Sequence, residues 1–307
     1  MKTEVFSLPD AFGLVLPAVL WTPEEPPRAV LQITHGMTEH MGRYTGLAQA
    51  LTAQGIAVAG FDLRGHGQNS GDPRCASFGE DGWDATLEDM HHLFLLLSYR
   101  FPRLPHAMLG FSLGSFLLRD YLSRYDDPVS RAALLGTGTQ PGPVLAMLKA
   151  LVSNQIHRAG FDRTTPLVQK LSFETYNKKF APNRTSADWL CADEDELDLY
   201  QADPLCRESI SAGLFWQLLD SMQRTGEPHT YDPWPSALPV LLLSGQEDPV
   251  GDFGKGVRTV EAQMKKAGLT EVQLQLLPGA RHDLLHEKAS GNARRAVELL
   301  TDFLREA

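Results

Sequence analysis

Short apolar runs that close on Gly, Ser or Asp alternate with longer helical patterns along most of this chain. That alternation restricts the fold more than any single motif does. The runs RAVLQIT (28–34), GIAVAGFD (55–62), HAMLGFS (106–112), RAALLG (131–136), LPVLLLSG (238–245) and EVQLQLLPG (271–279) are mostly apolar. A strand with one wet face alternates polar and apolar residues, whereas the strands of parallel sheets are covered on both faces and run apolar nearly throughout. Helical stretches at 44–54, 83–100, 113–125, 254–268 and 290–305 supply the covering layers. The expected class is α/β, a mostly parallel central sheet with helices on both faces. Near the start, KTEVFSL and LVLPAVLWT lie close enough to pair as an antiparallel hairpin at one edge, ended by the Pro-rich TPEEPPR.

The rhythm breaks once. From Gly138 to Pro235 no strand pattern occurs, while Val144, Met147, Leu148, Leu151, Val152 and Ile156 recur at helical spacing, as do Leu214, Phe215, Leu218, Leu219 and Met222. Residues 138–235 are therefore expected to form a helical insertion, with 1–137 and 236–307 making the core. Ligands of open α/β sheets bind beyond the carboxyl ends of the strands, where this insertion arises, so it is expected to act as a lid.

Composition narrows the function. A net charge of −10, with no basic run, argues against a nucleic-acid partner, because phosphate binding needs clustered Lys and Arg. The first residues, MKTEVFSLPD, lack the apolar core of a signal peptide, and no apolar run approaches the roughly 20 residues that span a bilayer. Cys75, Cys191 and Cys206 are too few and too scattered for a disulfide framework or a zinc site, so a reducing cytoplasm is the expected compartment.

Within AMLGFSLGSF (107–116), Gly110 and Gly114 bracket Ser112 where an apolar strand gives way to an apolar helix. The spacing G-x-S-x-G alone is common. In a strand-to-helix turn it is what a nucleophile elbow requires, since bulky neighbours would clash at the apex and the turn lifts the hydroxyl to a helix N-terminus. A serine hydroxyl needs a base, and the base needs orienting. His282 stands in LLPGARHDLLHE past the last expected strand, and Asp248 in VLLLSGQEDPV past the one before it. The order Ser112, Asp248, His282 is that of a hydrolase triad built on a parallel sheet. Glu247 is the rival for the acid and Asp252 a more distant one. The expected oxyanion donors are the backbone N–H of Leu113, directly after the serine, and that of Met37 in the turn ITHGMTEH. His35 reads as a satisfied turn histidine.

With HGMTEHMGRY (35–44), GFDLRGHGQNSG (60–71), GFSLGS (110–115), SGQEDPV (244–250) and GARHDLLHE (279–287), the chain resembles the α/β-hydrolase superfamily, and within it the monoacylglycerol lipase and lysophospholipase-like serine hydrolases. The resemblance implies an α/β-hydrolase fold with a variable cap and a carboxylic-ester hydrolase activity. It carries over Ser112 as nucleophile, Asp248 and His282 as its partners, and Met37 and Leu113 as oxyanion donors. Many members have His before the serine; Phe111 stands there instead and is chemically silent.

Other patterns have plainer readings. HDLLH (282–286) imitates a zinc helix, but Asp283 replaces the required Glu and Pro278-Gly279 mark a loop, so His286 is expected to cap or pack the following turn. DEDELD (193–198) lacks the Gly and Glu of a calcium loop and reads as a solvated acidic helix face. His91 and His92 point apart on a helix, and DLRGHG lacks a phosphate-loop Lys and reads as a turn. No cofactor and no metal are expected. The expected partner is a small hydrophobic ester, with transient contact between the cap and a membrane surface. Two other readings stay open: a peptidase of the proline-iminopeptidase type, for which acidic residues such as 193–198 would hold a substrate amine, and a non-catalytic hydrolase fold that binds a ligand.

Overall fold

The computed structural model describes residues 1–9, 13–69, 71–72, 74–207 and 209–305. In chain order the strands are β1 (Lys2–Pro9), β2 (Val15–Thr22), β3 (Ala29–Thr34), β4 (Ile56–Phe61), β5 (Cys75–Ala76), β6 (His106–Phe111), β7 (Val129–Leu135), β8 (Ser209–Ile210), β9 (Val240–Gly245) and β10 (Val272–Leu277). The helices are α1 (Thr45–Thr52), α2 (Gly82–Arg100), α3 (Leu113–Leu122), α4 (Gly142–Ala159), α5 (Pro166–Gln169), α6 (Thr175–Asn177), α7 (Glu194–Ala202), α8 (Ala212–Arg224), α9 (Lys255–Lys266) and α10 (Asn292–Arg305). A π-helical turn, Lys170–Glu174, joins α5 to α6.

Eight strands form one sheet in the order β1-β2-β4-β3-β6-β7-β9-β10. The hairpin β1–β2 is antiparallel and sits at one edge, β2 joins β4 antiparallel, and every pairing from β4 to β10 is parallel. Strands β3, β4, β6 and β9 are buried at every residue, which is why their sequences carry no polar alternation. Alternate residues feed two cores. Val30, Met108, Leu134 and Leu242 pack beneath α2, α3, α8 and α9, while Leu31, Leu109, Leu135 and Leu243 pack beneath α1 and α10. Strand β3 lies between β4 and β6, so the chain winds away from it in both directions. The crevice at its carboxyl end is the switch point where ligands of such sheets bind.

Helices α4 to α8 lie between β7 and β9, and two features there differ from the expectation. First, β8 lies in that stretch and pairs in parallel with β5 from the loop after β4. Two residues are too few to leave a periodic signature. Second, the apolar residues of α4 do not share one face. Leu145 and Val152 are buried, whereas Val144, Met147 and Leu151 are exposed. The α8 pattern does face inward: Leu214, Phe215, Leu219 and Met222 join the core beneath the sheet, and Ser211 caps the helix by accepting the Leu214 N–H at 3.0 Å. No helix among the described residues is long and apolar enough to cross a membrane.

Candidate active site

Ser112 sits at φ 50°, ψ −116°, between the end of β6 and the start of α3. A non-glycine residue held there is strained, and strain of this kind persists only where the surroundings impose it. The flanking glycines show how tightly they do. A Cβ on Gly110 would fall 2.2 Å from the Gly114 carbonyl oxygen, and one on Gly114 would fall 2.0 Å from that of Thr34. Both clashes are with backbone, so the elbow's sequence follows from the approach of α3 to the ends of β3 and β6.

His282 Nε2 lies 2.8 Å from Ser112 Oγ, and its Nδ1 lies 3.0 Å from Asp248 Oδ1. The second contact is close but is not a straight hydrogen bond, because the ring N–H direction misses the carboxylate oxygen. Asp248 is fully buried. Its Oδ1 accepts the Val250 N–H at 2.8 Å, and its Oδ2 accepts the Ser244 hydroxyl at 3.2 Å. Glu247 and Asp252 are exposed and make no contact with His282. Gly245, at the end of β9, admits the histidine loop: a Cβ there would meet the Ala280 carbonyl oxygen at 2.1 Å. Three loops that are remote in sequence thus converge at the carboxyl edge of the sheet.

The amides of Met37 and Leu113 have no hydrogen-bond acceptor among the described residues. Leu113 opens α3, where the first N–H groups lack intrahelical partners. Met37 follows a turn fixed from both sides. His35 donates from Nδ1 to the Gly36 carbonyl at 2.8 Å and accepts the Leu63 N–H at Nε2 at 2.9 Å, so it is a neutral, satisfied turn histidine, and burial pushes its pKa down. The Gly36 N–H donates to Glu39 Oε1 at 2.6 Å.

Sequence reading passed over the buried network around that carboxylate. Glu39 also accepts from the Tyr44 hydroxyl at 2.7 Å and pairs with Arg43 at 2.9 Å, and Arg43 pairs in turn with Asp283 at 2.5 Å. The i, i+4 spacing of Glu39 and Arg43 was the available signal. His286 lies 2.8 Å from Asp283 Oδ1 and 3.2 Å from the Arg43 carbonyl, so it ties the histidine loop to the turn before α1. Burial raises the Asp283 pKa, but the charges of His286 and Arg43 outweigh it and hold the carboxyl below its ordinary range. A further pairing, His40 Nε2 with Asp203 Oδ2 at 2.9 Å beside Cys206, gathers three metal-type ligand atoms. His40 Nδ1 accepts the Gly42 N–H at 3.2 Å, which leaves the proton on Nε2 for Asp203 and explains the cluster without an ion.

A cavity of about 400 Å³ opens over Ser112 and His282. Met37, Phe111, Phe173, Trp189 and Leu190 give it an apolar wall, and Thr38, Glu39, Tyr200 and Arg207 a polar one. Residues 193–198 do not line it; Glu196 pairs with Lys288 at the surface, and Asp193 caps α7. Phe111 is less silent than its chemistry suggests: its ring centroid lies 5.0 Å from that of His282, and Trp189 stands on the imidazole at 5.2 Å.

Sheet order, crevice and the helical stretch between β7 and β9 make this an α/β-hydrolase fold. Residues 25–289 match the serine aminopeptidase S33 family of hydrolases, and the chain belongs to that family. It is 27% identical over 280 residues to a monoacylglycerol lipase of Mycolicibacterium smegmatis, covering 87% of this chain and 86% of the relative. It is 27% identical over 285 residues to the human monoglyceride lipase, covering 92% and 84%. In three dimensions it is similar to a thermostable carboxyl esterase from Bacillus coagulans, with a TM-score of 0.89, 24% identity and coverage of 100% and 99%. The lipase and esterase relatives support a carboxylic-ester hydrolase activity for this chain.

Proposed function

We propose that this protein hydrolyses esters of hydrophobic acids, of the monoacylglycerol or lysophospholipid kind, through an acyl-enzyme on Ser112. The observation that carries the reading is the 2.8 Å contact between His282 Nε2 and Ser112 Oγ at the floor of an apolar-walled cavity. His282 takes the serine proton as Oγ attacks the ester carbonyl, and Asp248 stabilises the imidazolium that results. The carbonyl oxygen becomes an oxyanion held by the Leu113 and Met37 N–H groups, whose lack of internal acceptors leaves them ready for it. His282 then gives its proton to the leaving alcohol. Water then enters where the alcohol left, gives a proton to His282 as it attacks the acyl carbon, and His282 returns that proton to Ser112 Oγ as the acid departs.

Residues 138–235 act as the cap in this reading. The exposed Val144, Met147 and Leu151 on α4 form an apolar stripe suited to brief contact with a lipid surface. The family description keeps a peptidase reading in view, but residues 193–198, the acidic run that would hold a substrate amine, lie away from the cavity, and Glu39 and Asp283 are both paired with Arg43.

The test is labelling with a fluorophosphonate probe, followed by turnover of p-nitrophenyl esters of increasing chain length. Wild type should label and prefer acyl chains over acetate, and Ser112→Ala should do neither. A wild type that neither labels nor hydrolyses any ester would overturn the proposal.

A further inference from the structure

The imidazole of His282 is held at its two ends by Ser112 and Asp248, but the Asp248 contact is bent. Two contacts along one axis leave a ring free to tilt about that axis. What limits the tilt is a pair of aromatic rings packed against the imidazole, Phe111 at 5.0 Å and Trp189 at 5.2 Å, both inclined by 35°. Phe111 ends a core strand and is fixed by the sheet. Trp189 comes from the segment between α6 and α7, so its position has to be secured separately.

It is secured from both directions. The Asp283 N–H donates to the Leu190 carbonyl at 2.6 Å, and Arg281 Nη1 donates to the carbonyls of Asp188 at 2.5 Å and Cys191 at 3.2 Å. Glu287, fully buried, accepts from the Arg281 N–H at 2.8 Å and from the Ala192 N–H at 3.2 Å through one oxygen. The Trp189 ring also rests against Tyr176 at 5.2 Å and Phe173 at 6.1 Å, and its backbone N–H donates to Asn177 Oδ1 at 2.9 Å. Residues 188–192 are thus bonded to the histidine loop as a strap.

We propose, resting on the triad reading above, that Trp189 is a positioning residue for His282: with Phe111 it holds the imidazole in the one orientation that reaches both Ser112 and Asp248, and the 188–192 strap fixes it to the histidine loop. Trp189 neither donates nor accepts a proton in the reaction. Its effect is on how often the Ser112–His282 contact is in place when substrate arrives.

The test compares Trp189→Ala, Trp189→Phe and Arg281→Met with wild type. Three readouts are taken: kcat and KM on a soluble p-nitrophenyl ester, the rate of fluorophosphonate labelling, and the melting temperature. Misplacement of a catalytic group by about 1 Å costs roughly a hundredfold, so Trp189→Ala should lower kcat and labelling rate together by about ten- to a hundredfold, with KM little changed. Trp189→Phe, which keeps a flat face, should restore most of the loss even where its melting temperature falls as far. Arg281→Met should show a smaller loss of the same kind. Should Trp189→Ala not fold, Trp189→Leu replaces it in the comparison. A loss confined to KM would make Trp189 a substrate wall and overturn the proposal, as would kinetics equal to wild type. A wild type that neither labels nor turns over ester removes the triad reading, and this proposal with it.

Discussion

His106 opens β6 with its ring stacked on Phe94 at 4.0 Å and 3°, and neither ring nitrogen has a partner among the described residues. Burial pushes its pKa down from an ordinary 6.5 to about 3. Between those two values the folded protein keeps the imidazole neutral while the unfolded chain protonates it. The unfolded state then binds more protons, so stability falls as pH drops below 6.5 and the loss levels off near 3. At about 1.4 kcal/mol per unit, moving from pH 7 to pH 5 removes about 2 kcal/mol on this account alone. His66 adds to it, since burial pushes it to about 3 as well. Together the two remove about 4 kcal/mol, against a typical total of about 5–15. The perturbation is His106→Phe, which keeps a ring on Phe94 and removes the titration. Urea unfolding at pH 7 and pH 5 should show wild type losing about 2 kcal/mol more than the variant. Any cost of repacking the larger ring is the same at both pH values and cancels in that difference. Equal losses in the two proteins would refute the reasoning.

Three other outcomes are expected. Asp248→Asn should lower kcat on p-nitrophenyl esters by about 10⁴ through loss of the orienting carboxylate, while the exposed Glu247→Ala stays near wild type; steady-state kinetics on the two variants separates the rival acids. Gly114→Ala places a Cβ 2.0 Å from the Thr34 carbonyl oxygen, so it should destabilise by about 3 kcal/mol or more despite better helix propensity, whereas Gly142→Ala, in open space at the start of α4, should change the melting temperature little. Replacing Val144, Met147 and Leu151 together by Ser should slow turnover of substrate presented in vesicles and leave soluble esters unaffected. Equal turnover of vesicle substrate would remove the membrane role of α4.

The local code for the sheet was legible because each central strand is covered on both faces and writes its burial directly into an apolar run. The elbow was legible for a similar reason: Gly110 and Gly114 are demanded by backbone contact, so the fold leaves its mark on residue type. Asp248 and His282 could be picked out because each follows a recognisable strand; the burial that favours Asp248 over Glu247 is something neighbouring carboxylates in one loop do not reveal in sequence.

What the chain could not disclose is whatever depends on two loops meeting at a particular distance. Which apolar residues of α4 are buried was not legible, because apolar residues at helical spacing do not say which side meets the core. Strand β8 was missed because two residues have no period. Phe111 looked inert because it carries no titratable group, and Trp189 was one aromatic among many in a stretch without a motif. Sequence by itself determined the fold class, the order of the site residues and the glycines that let them approach, since each follows from burial or clash along a single element. The bent Asp248 contact, the strap that pins Trp189 to the histidine loop and the charged network under the Gly36 turn were decided only by tertiary structure. Orientation and hydrogen-bond closure are properties of pairs of loops, and no single stretch of the chain encodes them.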